Sequence, residues 1–362
     1  MDEEEYVMIR GLKTKERFYM KQGHLPTESL YDSSGSIYKY LDLSSEIIKD
    51  MTSIEGIEKL RDLEVLCLDH TLLTNIQNLE FLPNLKMISL VGNPITEISG
   101  FDKLHNLEVL NLNFCQISEI DNLDNLVNLK ELHFRGNQLT KIQGLENLRN
   151  LEVLELGFNQ ITEISGLENQ KKLKRLSFYD YEECKGNLIS EITGLGNLEN
   201  LEILFLDNNK IEEIKNLTNL KKLKLLFIRC NQVSEIKGLD NLSTLRELYL
   251  SSNNIHEIKA LSNLNSIEVL DLSDNNITEI KNLDDLTSLK YLYLNANNIE
   301  ELKGINNLLK LTNLDLLENK VFKIPKIGYP KNLQTINLTS RLIPHEEIEK
   351  LKSNKLFNIW NY

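Results

Sequence analysis

The sequence is poor in cysteine, proline and tryptophan, with four, six and one of these among its 362 residues. The cysteines show no Cys-x-x-Cys spacing, which argues against a structural zinc site and a disulfide framework. The first residues form no apolar stretch of signal-peptide length, and no run reaches the roughly 18 apolar residues of a membrane helix. We therefore expect a cytoplasmic protein with free thiols that does not enter a membrane.

Basic residues are outnumbered by acidic ones. The chain has 41 lysines and arginines against 54 aspartates and glutamates, for a net charge of -13. Nucleic acids and anionic membranes are bound by basic surfaces. The charge balance therefore predicts neither as a partner and favours protein surfaces that are basic or mixed in charge.

Catalytic motifs are absent from the sequence. There is no phosphate-binding G-x-x-x-x-G-K-[ST], no H-E-x-x-H and no G-x-S-x-G. Cys67 and His133 fall in the same column of the repeat described below, but three coils separate them, which is about 14 Å at the usual strand spacing. That distance excludes a thiolate–imidazole pair. The sequence predicts no enzyme, no cofactor and no metal site.

A 22-residue pattern, L-x-x-L-x-L-x-x-N-x-I-x-x-I-x-G/N-L-x-x-L-x-N, fills most of the chain, with units beginning at 63, 85, 107, 129, 151, 173, 201, 223, 245, 267, 289 and 311. Leucines that alternate with variable residues predict a short strand with one buried face. The later steps of three residues favour 3₁₀ or irregular turns over long helices. One unit cannot bury its own apolar face, so stacked neighbours must bury it for each other.

The pattern resembles the leucine-rich repeat, in its SDS22-like subclass of 22-residue units. The resemblance implies an α/β solenoid, a right-handed horseshoe with a parallel sheet on its concave face and short turns on its convex face. We expect an N-terminal cap at 1–37, which could include an amphipathic helix within residues 4–20, a solenoid of about 14 coils at 38–343, and a C-terminal cap at 344–362. Leu356, Phe357, Ile359 and Trp360 would cover the last coil.

The asparagine of each unit is predicted to be structural. It follows the strand where the chain turns, and its amide can satisfy backbone groups of neighbouring coils. Cys115 occupies the position once, as a small buried residue. This asparagine ladder comprises Asn93, Asn137, Asn159, Asn187, Asn209, Asn231, Asn253, Asn275, Asn297 and Asn319.

The residues between the two strand leucines change character along the chain. They are small or polar in the first half, as in Ser89 and Asn111, and aromatic or acidic in the second half. Aromatic side chains on the solvent side of a sheet either pair across strands or mark a binding site. We predict a partner-binding patch made of Phe205, Phe227, Tyr249, Tyr291, Tyr293, Arg229, Asp271 and Tyr179.

The spacing from 173 to 201 exceeds the period by six residues, which places an insertion at 179–186. It is either a specificity loop beside the aromatic patch or a neutral bump. A second cluster, Glu131, His133, Arg135 and Glu155, is expected to be a surface charge network.

Together these features predict a monomeric, non-catalytic scaffold that binds a protein partner. The SDS22-like resemblance implies regulation of a phosphatase-type catalytic subunit, because eukaryotic SDS22-like proteins regulate protein phosphatase 1. The alternative function is a secreted internalin-like adhesin or a receptor ectodomain fragment.

Overall fold

The computed structural model describes the backbone of residues 6–9, 18–19, 21–23, 38–179, 185–324, 329–339, 342–346, 348 and 357–360. The chain divides into two units. Unit 1 comprises residues 1–161 and 165–173, and unit 2 comprises residues 162–164 and 174–362.

The described residues of unit 1 form ten strands. The first five are β1 to β5, at Tyr6–Ile9, Phe18–Tyr19, Lys21–Gly23, Tyr38–Asp42 and Ile54–Glu55. The next five are β6 to β10, at Val65–Cys67, Met87–Ser89, Val109–Asn111, Glu131–His133 and Val153–Glu155. Strands β4 and β6 to β10 pair in parallel in sequence order. Short 3₁₀ helices occur at Met51–Ser53, Ile57–Lys59 and Leu79–Phe81.

The N-terminal region of unit 1 differs from the expected amphipathic helix. Strand β1 pairs antiparallel with both β2 and β5, and β3 pairs antiparallel with β4. The stretch Tyr-Val-Met-Ile of β1 is rich in residues that favour strands. Its pairing with Ile54–Glu55 joins residues far apart in sequence, and a local helical pattern cannot reveal such pairing. The helix prediction is therefore wrong for 6–9 and 18–19.

In the part of unit 2 that the structure describes, nine strands pair in parallel, each with the next. They are β11 to β19, at Arg175–Ser177, Ile203–Phe205, Leu225–Phe227, Glu247–Tyr249, Val269–Asp271, Tyr291–Tyr293, Asn313–Leu316, Thr335–Thr339 and Phe357–Trp360. The register aligns Leu204 with Leu226 and Leu248, and Phe205 with Phe227 and Tyr249. Each column of the repeat thus becomes a row that runs across the strands.

The segment that was expected to cover the last coil forms a strand at the end of unit 2. Phe357–Trp360 forms β19 and pairs in parallel with β18, so this segment adds a strand to the sheet. Leu356 and the side chains of Phe357, Ile359 and Trp360 lie outside the described residues.

The core of each unit is built from the leucine and isoleucine columns. In unit 2, Leu204, Leu226 and Leu248 have no exposed surface. Full burial of one such side chain contributes about 1.5–3 kcal/mol. Turn hydrogen bonds between residues three apart connect the strands, as from Leu242 N to Leu239 O at 3.0 Å. Both units are therefore parallel-sheet solenoids with little helix, while the right-handed horseshoe stays a prediction.

The left-handed turn of the coils is formed mostly by glycine or asparagine, with Ala260 at φ 54° in one coil. Gly144 has φ +67°, and a Cβ there would overlap the carbonyl oxygen of Ile120 in the preceding coil. Asn122 has φ 54°, and its Nδ2 donates to the carbonyl of Ile98 at 3.0 Å. Both residues tolerate the left-handed backbone. Glycine avoids a clash with the carbonyl of the preceding coil, whereas asparagine also donates a hydrogen bond to the equivalent carbonyl.

The ladder asparagines connect adjacent coils through their backbones. Asn253 is 7% exposed, accepts the N–H of Val233 at 2.9 Å and donates to the carbonyls of Ile228 and Leu250 at 2.8 and 3.0 Å. The other members make the same kind of bonds, and only Asn319 is half-buried. At Cys115 the thiol donates to the carbonyl of Leu90 at 3.4 Å.

We expect the substitution Asn253→Ala to lower the free energy of unfolding by roughly 1–3 kcal/mol, because it leaves buried backbone groups without partners. The adjacent Asn254 is exposed, so Asn254→Ala is the matched control and should change stability by less than about 0.5 kcal/mol. Urea denaturation of both variants measures the difference. Equal stability of the two would refute a structural role for the ladder.

Candidate binding face

The face of the unit 2 sheet that points away from the leucine core carries three stacked rings. Phe205, Phe227 and Tyr249 are neighbours in register on β12, β13 and β14. The ring centroids of Phe205 and Phe227 lie 4.5 Å apart, as do those of Phe227 and Tyr249, with interplanar angles of 27° and 5°. We call these three residues the aromatic stack and this side of the sheet the open face. Such cross-strand pairs stabilise a sheet.

Phe205 is buried, although it lies on the side of the sheet that faces away from the core. It is only 4% exposed, because the Phe227 ring covers one side and the guanidinium of Arg175 lies 4.8 Å from its centroid. Tyr179 is also buried, at 9% exposure. The accessible part of the predicted patch therefore begins at Phe227. Residues 180–184 of the insertion, including Cys184, lie outside the described residues.

Arg229 is held inside the open face by an ion pair. Its Nη2 lies 3.1 Å from Oδ2 of Asp207, whose side chain is 2% exposed. Its guanidinium also lies 5.2 Å from the Phe227 ring centroid and 5.6 Å from that of Tyr249. Burial raises the pKa of Asp207, and the contacts with Arg229 oppose that rise. Arg229, a member of the predicted patch, thus bridges the aromatic stack and a buried acid.

Asp207 is a contributor that the sequence prediction missed. It belongs to the column that follows the second strand leucine, and its backbone contact is the N–H of Arg229, at 2.6 Å from Oδ1. The signal was available, because Asp207 and Arg229 are 22 residues apart and therefore adjacent in register. The predicted patch takes Arg229 and Tyr179 from this same column but omits Asp207.

A groove opens beside the stack, between β14 and β16. It has a volume of about 440 Å³, and its lining includes Tyr249, Asp271, Ser273, Tyr291, Tyr293 and Asn295. We call it the tyrosine groove. Tyr291 is 38% exposed, which makes it an exposed large hydrophobic side chain of the open face. Ser273, Asn295 and the lining residue Val269 were not among the predicted site residues.

Charge in the tyrosine groove is negative. Oδ1 of Asp271 accepts the backbone N–H and the hydroxyl of Ser273, at 3.0 and 2.6 Å. The hydroxyl of Tyr249 donates to Oε2 of Glu247 at 2.8 Å. Burial raises the pKa of Tyr249 and of Tyr293 above the usual tyrosine range. Both phenols are therefore neutral near pH 7, and Asp271 is the acidic side chain among the lining residues.

In unit 1, the same column has three polar residues that are buried. Ser89, Asn111 and His133 are buried, and Nε2 of His133 lies 3.4 Å from Oε2 of Glu131. The backbone N–H of Arg135 donates to Asn113 Oδ1 at 2.7 Å, and its guanidinium lies 5.0 Å from the Phe114 ring centroid. These contacts are internal to unit 1.

The cysteines of the described residues are free thiols. Cys67 and Cys115 are buried and Cys230 is exposed. Burial raises the pKa of both buried thiols to about 12. They are protonated at neutral pH and are not nucleophiles there.

The described part of the chain contains no group of three or more His, Cys, Asp or Glu side chains that could hold a metal ion. Across the same residues, no helix is long and apolar enough to cross a membrane.

This chain is similar to known proteins in both sequence and fold. Residues 83–125, 127–169, 243–286 and 265–307 match the family "Leucine Rich repeats (2 copies)". An internalin (inlF) from Listeria monocytogenes has a TM-score of 0.74 and 29% identity, over 86% of this chain and 91% of the internalin. No curated protein sequence matches the chain.

Two more distant structures share the fold. A leucine-rich-repeat protein of Leptospira interrogans has a TM-score of 0.72 at 24% identity, over 89% of this chain and 95% of its own. A chain of the Drosophila Toll–Spatzle complex has a TM-score of 0.71 at 21% identity, over 83% of this chain and 44% of its own. At these identities the likeness concerns the fold alone.

Proposed function

We propose that this leucine-rich-repeat protein is a non-catalytic scaffold that binds a protein partner on the open face of unit 2. The observation that carries the proposal is the sequence of features on that face: the aromatic stack, then the tyrosine groove with the exposed Tyr291. Solvent-facing strand positions contribute nothing to the leucine core, so large rings there serve either the sheet or a partner. Tyr291 stands 38% exposed, which favours a partner, because tyrosine is enriched at binding hot spots.

A protein suits this face better than other partner classes. The groove is shallow and continuous with the stack, as expected for a broad contact with a folded or extended protein segment. The net charge of -13 disfavours nucleic acid, whose binding requires basic residues. Of the structures similar to this chain, Toll was solved in a complex with Spatzle, which supports a protein partner for this architecture.

Finer assignments extend the same proposal. The 22-residue period supports the SDS22-like subclass and, with it, a phosphatase-type catalytic subunit as the partner. The free thiols of the described residues support a reducing, cytoplasmic location. On this proposal the protein acts as a monomer, and the open face is the concave side of the horseshoe.

A second candidate function is favoured by one comparison. The 29% identity to an internalin over 86% of this chain supports an internalin-like protein displayed or secreted by a cell. The binding face would be the same, and only the location of the partner would differ. Protease treatment of intact cells distinguishes the two candidates, because a displayed protein is cleaved and a cytoplasmic one is protected.

We expect a photo-cross-linking residue to capture the partner from the open face. Benzoylphenylalanine would replace Tyr291 in one variant and Leu309 in the other. Leu309 is 63% exposed and lies outside the strands of unit 2. After irradiation in the cells that make the protein, one adduct should dominate at position 291 and be absent at position 309. Equal adducts at both positions, or adducts at 309 alone, would contradict the proposal.

A further inference from the structure

We propose that the tyrosine groove receives a cationic side chain of the partner, a lysine or an arginine, with its charge facing Asp271. This inference rests on the proposed function and specifies which chemistry the open face selects. Three observations carry it: the state of the Asp271 carboxylate, the rings around it and the charges next to the groove.

The Asp271 carboxylate has one oxygen that its surroundings leave available. Oδ1 accepts both bonds from Ser273. Among the described residues, no lysine, arginine or histidine forms an ion pair with Asp271, and Oδ2 accepts no hydrogen bond. A half-buried carboxylate without a cation is a site where an incoming positive charge gains a charge-assisted hydrogen bond.

Two other acids of the open face, Asp207 and Asp315, show the contrast. Asp207 is neutralised by Arg229 at 3.1 Å. Both oxygens of Asp315 accept hydrogen bonds, from the Leu317 N–H at 3.0 Å and from Nδ2 of Asn337 at 3.0 Å. Asp271 alone of these three lines the tyrosine groove. The acid that has an available oxygen is therefore also the one that lines the groove.

The walls of the groove also favour a cation. Tyr249 and Tyr293 are the neighbours of Asp271 in register, and Tyr291 lines the same groove. The faces of aromatic rings attract ammonium and guanidinium groups. The apolar stem of a lysine or arginine would pack on the same rings. A neutral apolar side chain would gain only the ring contacts and would leave Asp271 partly desolvated, which is unfavourable.

Arg229, which lies beside the groove, does not compete for Asp271. Arg229 lies 5.6 Å from the Tyr249 ring centroid, but its guanidinium is hydrogen-bonded to Asp207 at 3.1 and 3.3 Å. Its charge is therefore balanced within the face. The groove remains negative and the partner supplies the positive charge.

A short peptide tests this inference without the natural partner. The probe is acetyl-Gly-Lys-Gly-Lys-Gly-amide, and its control is the same peptide with both lysines Nε-acetylated, which removes the charge. Binding is followed by the ring resonances of ¹³C-labelled tyrosine, assigned with Tyr291→Phe and Tyr293→Phe. We expect saturable shifts of both rings with the charged peptide and binding about tenfold weaker, or undetectable, with the acetylated one.

Two matched variants separate the groove from the general negative charge of the protein. Asp271→Asn removes the charge and keeps the oxygen that accepts from Ser273, and it should weaken peptide binding about tenfold. Asp315→Asn removes the same charge on the neighbouring strand, where Asp315 is the register partner of Tyr293. It should change the affinity by less than about threefold. Equal losses in the two variants, equal binding of the acetylated peptide, or no saturable shift at millimolar peptide would overturn the inference.

The proposed function can survive that failure. Suppose that Asp271→Asn binds the partner identified by cross-linking as tightly as the wild type does. The contact between a cationic side chain and Asp271 is then excluded, and the open face is still the binding surface. If cross-linking also shows no preference for position 291, the proposed function fails with it.

Discussion

Replacement of Arg229 by methionine is expected to lower the free energy of unfolding by about 3 kcal/mol, at the lower end of the range for breaking a buried ion pair. The side chain of Asp207 is 2% exposed, whereas that of Arg229 is 30% exposed. Methionine keeps an apolar stem against Phe227 and Tyr249 but removes the cation. In this variant, the backbone N–H of residue 229 is the one contact with that residue that still stabilises the charge of Asp207.

The double variant Asp207→Asn/Arg229→Met controls for the loss of packing. It removes the buried charge as well as the cation, so most of the lost stability should return. Urea denaturation of the wild type and of the single and double variants provides the values. If the double variant is as unstable as Arg229→Met, the stem and its ring contacts, rather than the charge, account for the loss.

The deficit of Arg229→Met should grow with pH. Burial raises the pKa of Asp207, so the folded state binds this proton more tightly than the unfolded state, whose aspartate pKa is about 3.9. The contribution of Asp207 to stability therefore falls as pH rises from the unfolded pKa through the folded one. Without Arg229 the folded pKa rises further. The deficit should be smaller at about pH 5 than at about pH 8, and an equal deficit would contradict this.

The repeat made much of the fold predictable from sequence. Leucines spaced 22 residues apart, such as Leu226 and Leu248, align in register, because a fixed period places equivalent residues on neighbouring strands. Asn253 is buried and bonded to backbone groups of the preceding coil, as a polar residue at that turn must be. These features depend on local spacing alone.

Other features depend on side chains that meet across strands. The pattern predicted that Phe205 faces away from the core, but its burial depends on Arg175 and Phe227, which cover the ring. The pairing of Arg229 with Asp207 could have been predicted by comparing a second column. The strands at Tyr6–Ile9 and Phe357–Trp360 depend on pairing outside the repeat, so the period carries no information about them.

The second large effect is expected on binding. Tyr291→Ala/Tyr293→Ala should weaken affinity for the partner captured at position 291 by at least about thirtyfold, because truncation of a central aromatic anchor typically costs 2 kcal/mol or more. Both side chains lie on β16 at the tyrosine groove. The fold should tolerate the change, because Leu292 and Leu294 of the same coil remain to fill the core.

The matched control removes similar apolar surface elsewhere on unit 2. Leu188 and Leu309 are 40% and 63% exposed and lie outside the strands. Leu188→Ala/Leu309→Ala should therefore keep the wild-type affinity. Cooperative thermal unfolding of both double variants is checked first, so that a loss of binding is not a loss of structure.

Isothermal titration calorimetry of the purified partner against the wild type and the two double variants tests the binding role of the open face most directly. We predict that Tyr291→Ala/Tyr293→Ala loses at least about thirtyfold in affinity while Leu188→Ala/Leu309→Ala stays within about twofold of the wild type. Unchanged affinity in the tyrosine variant, or an equal loss in both variants, would contradict the assignment of the binding site to this face.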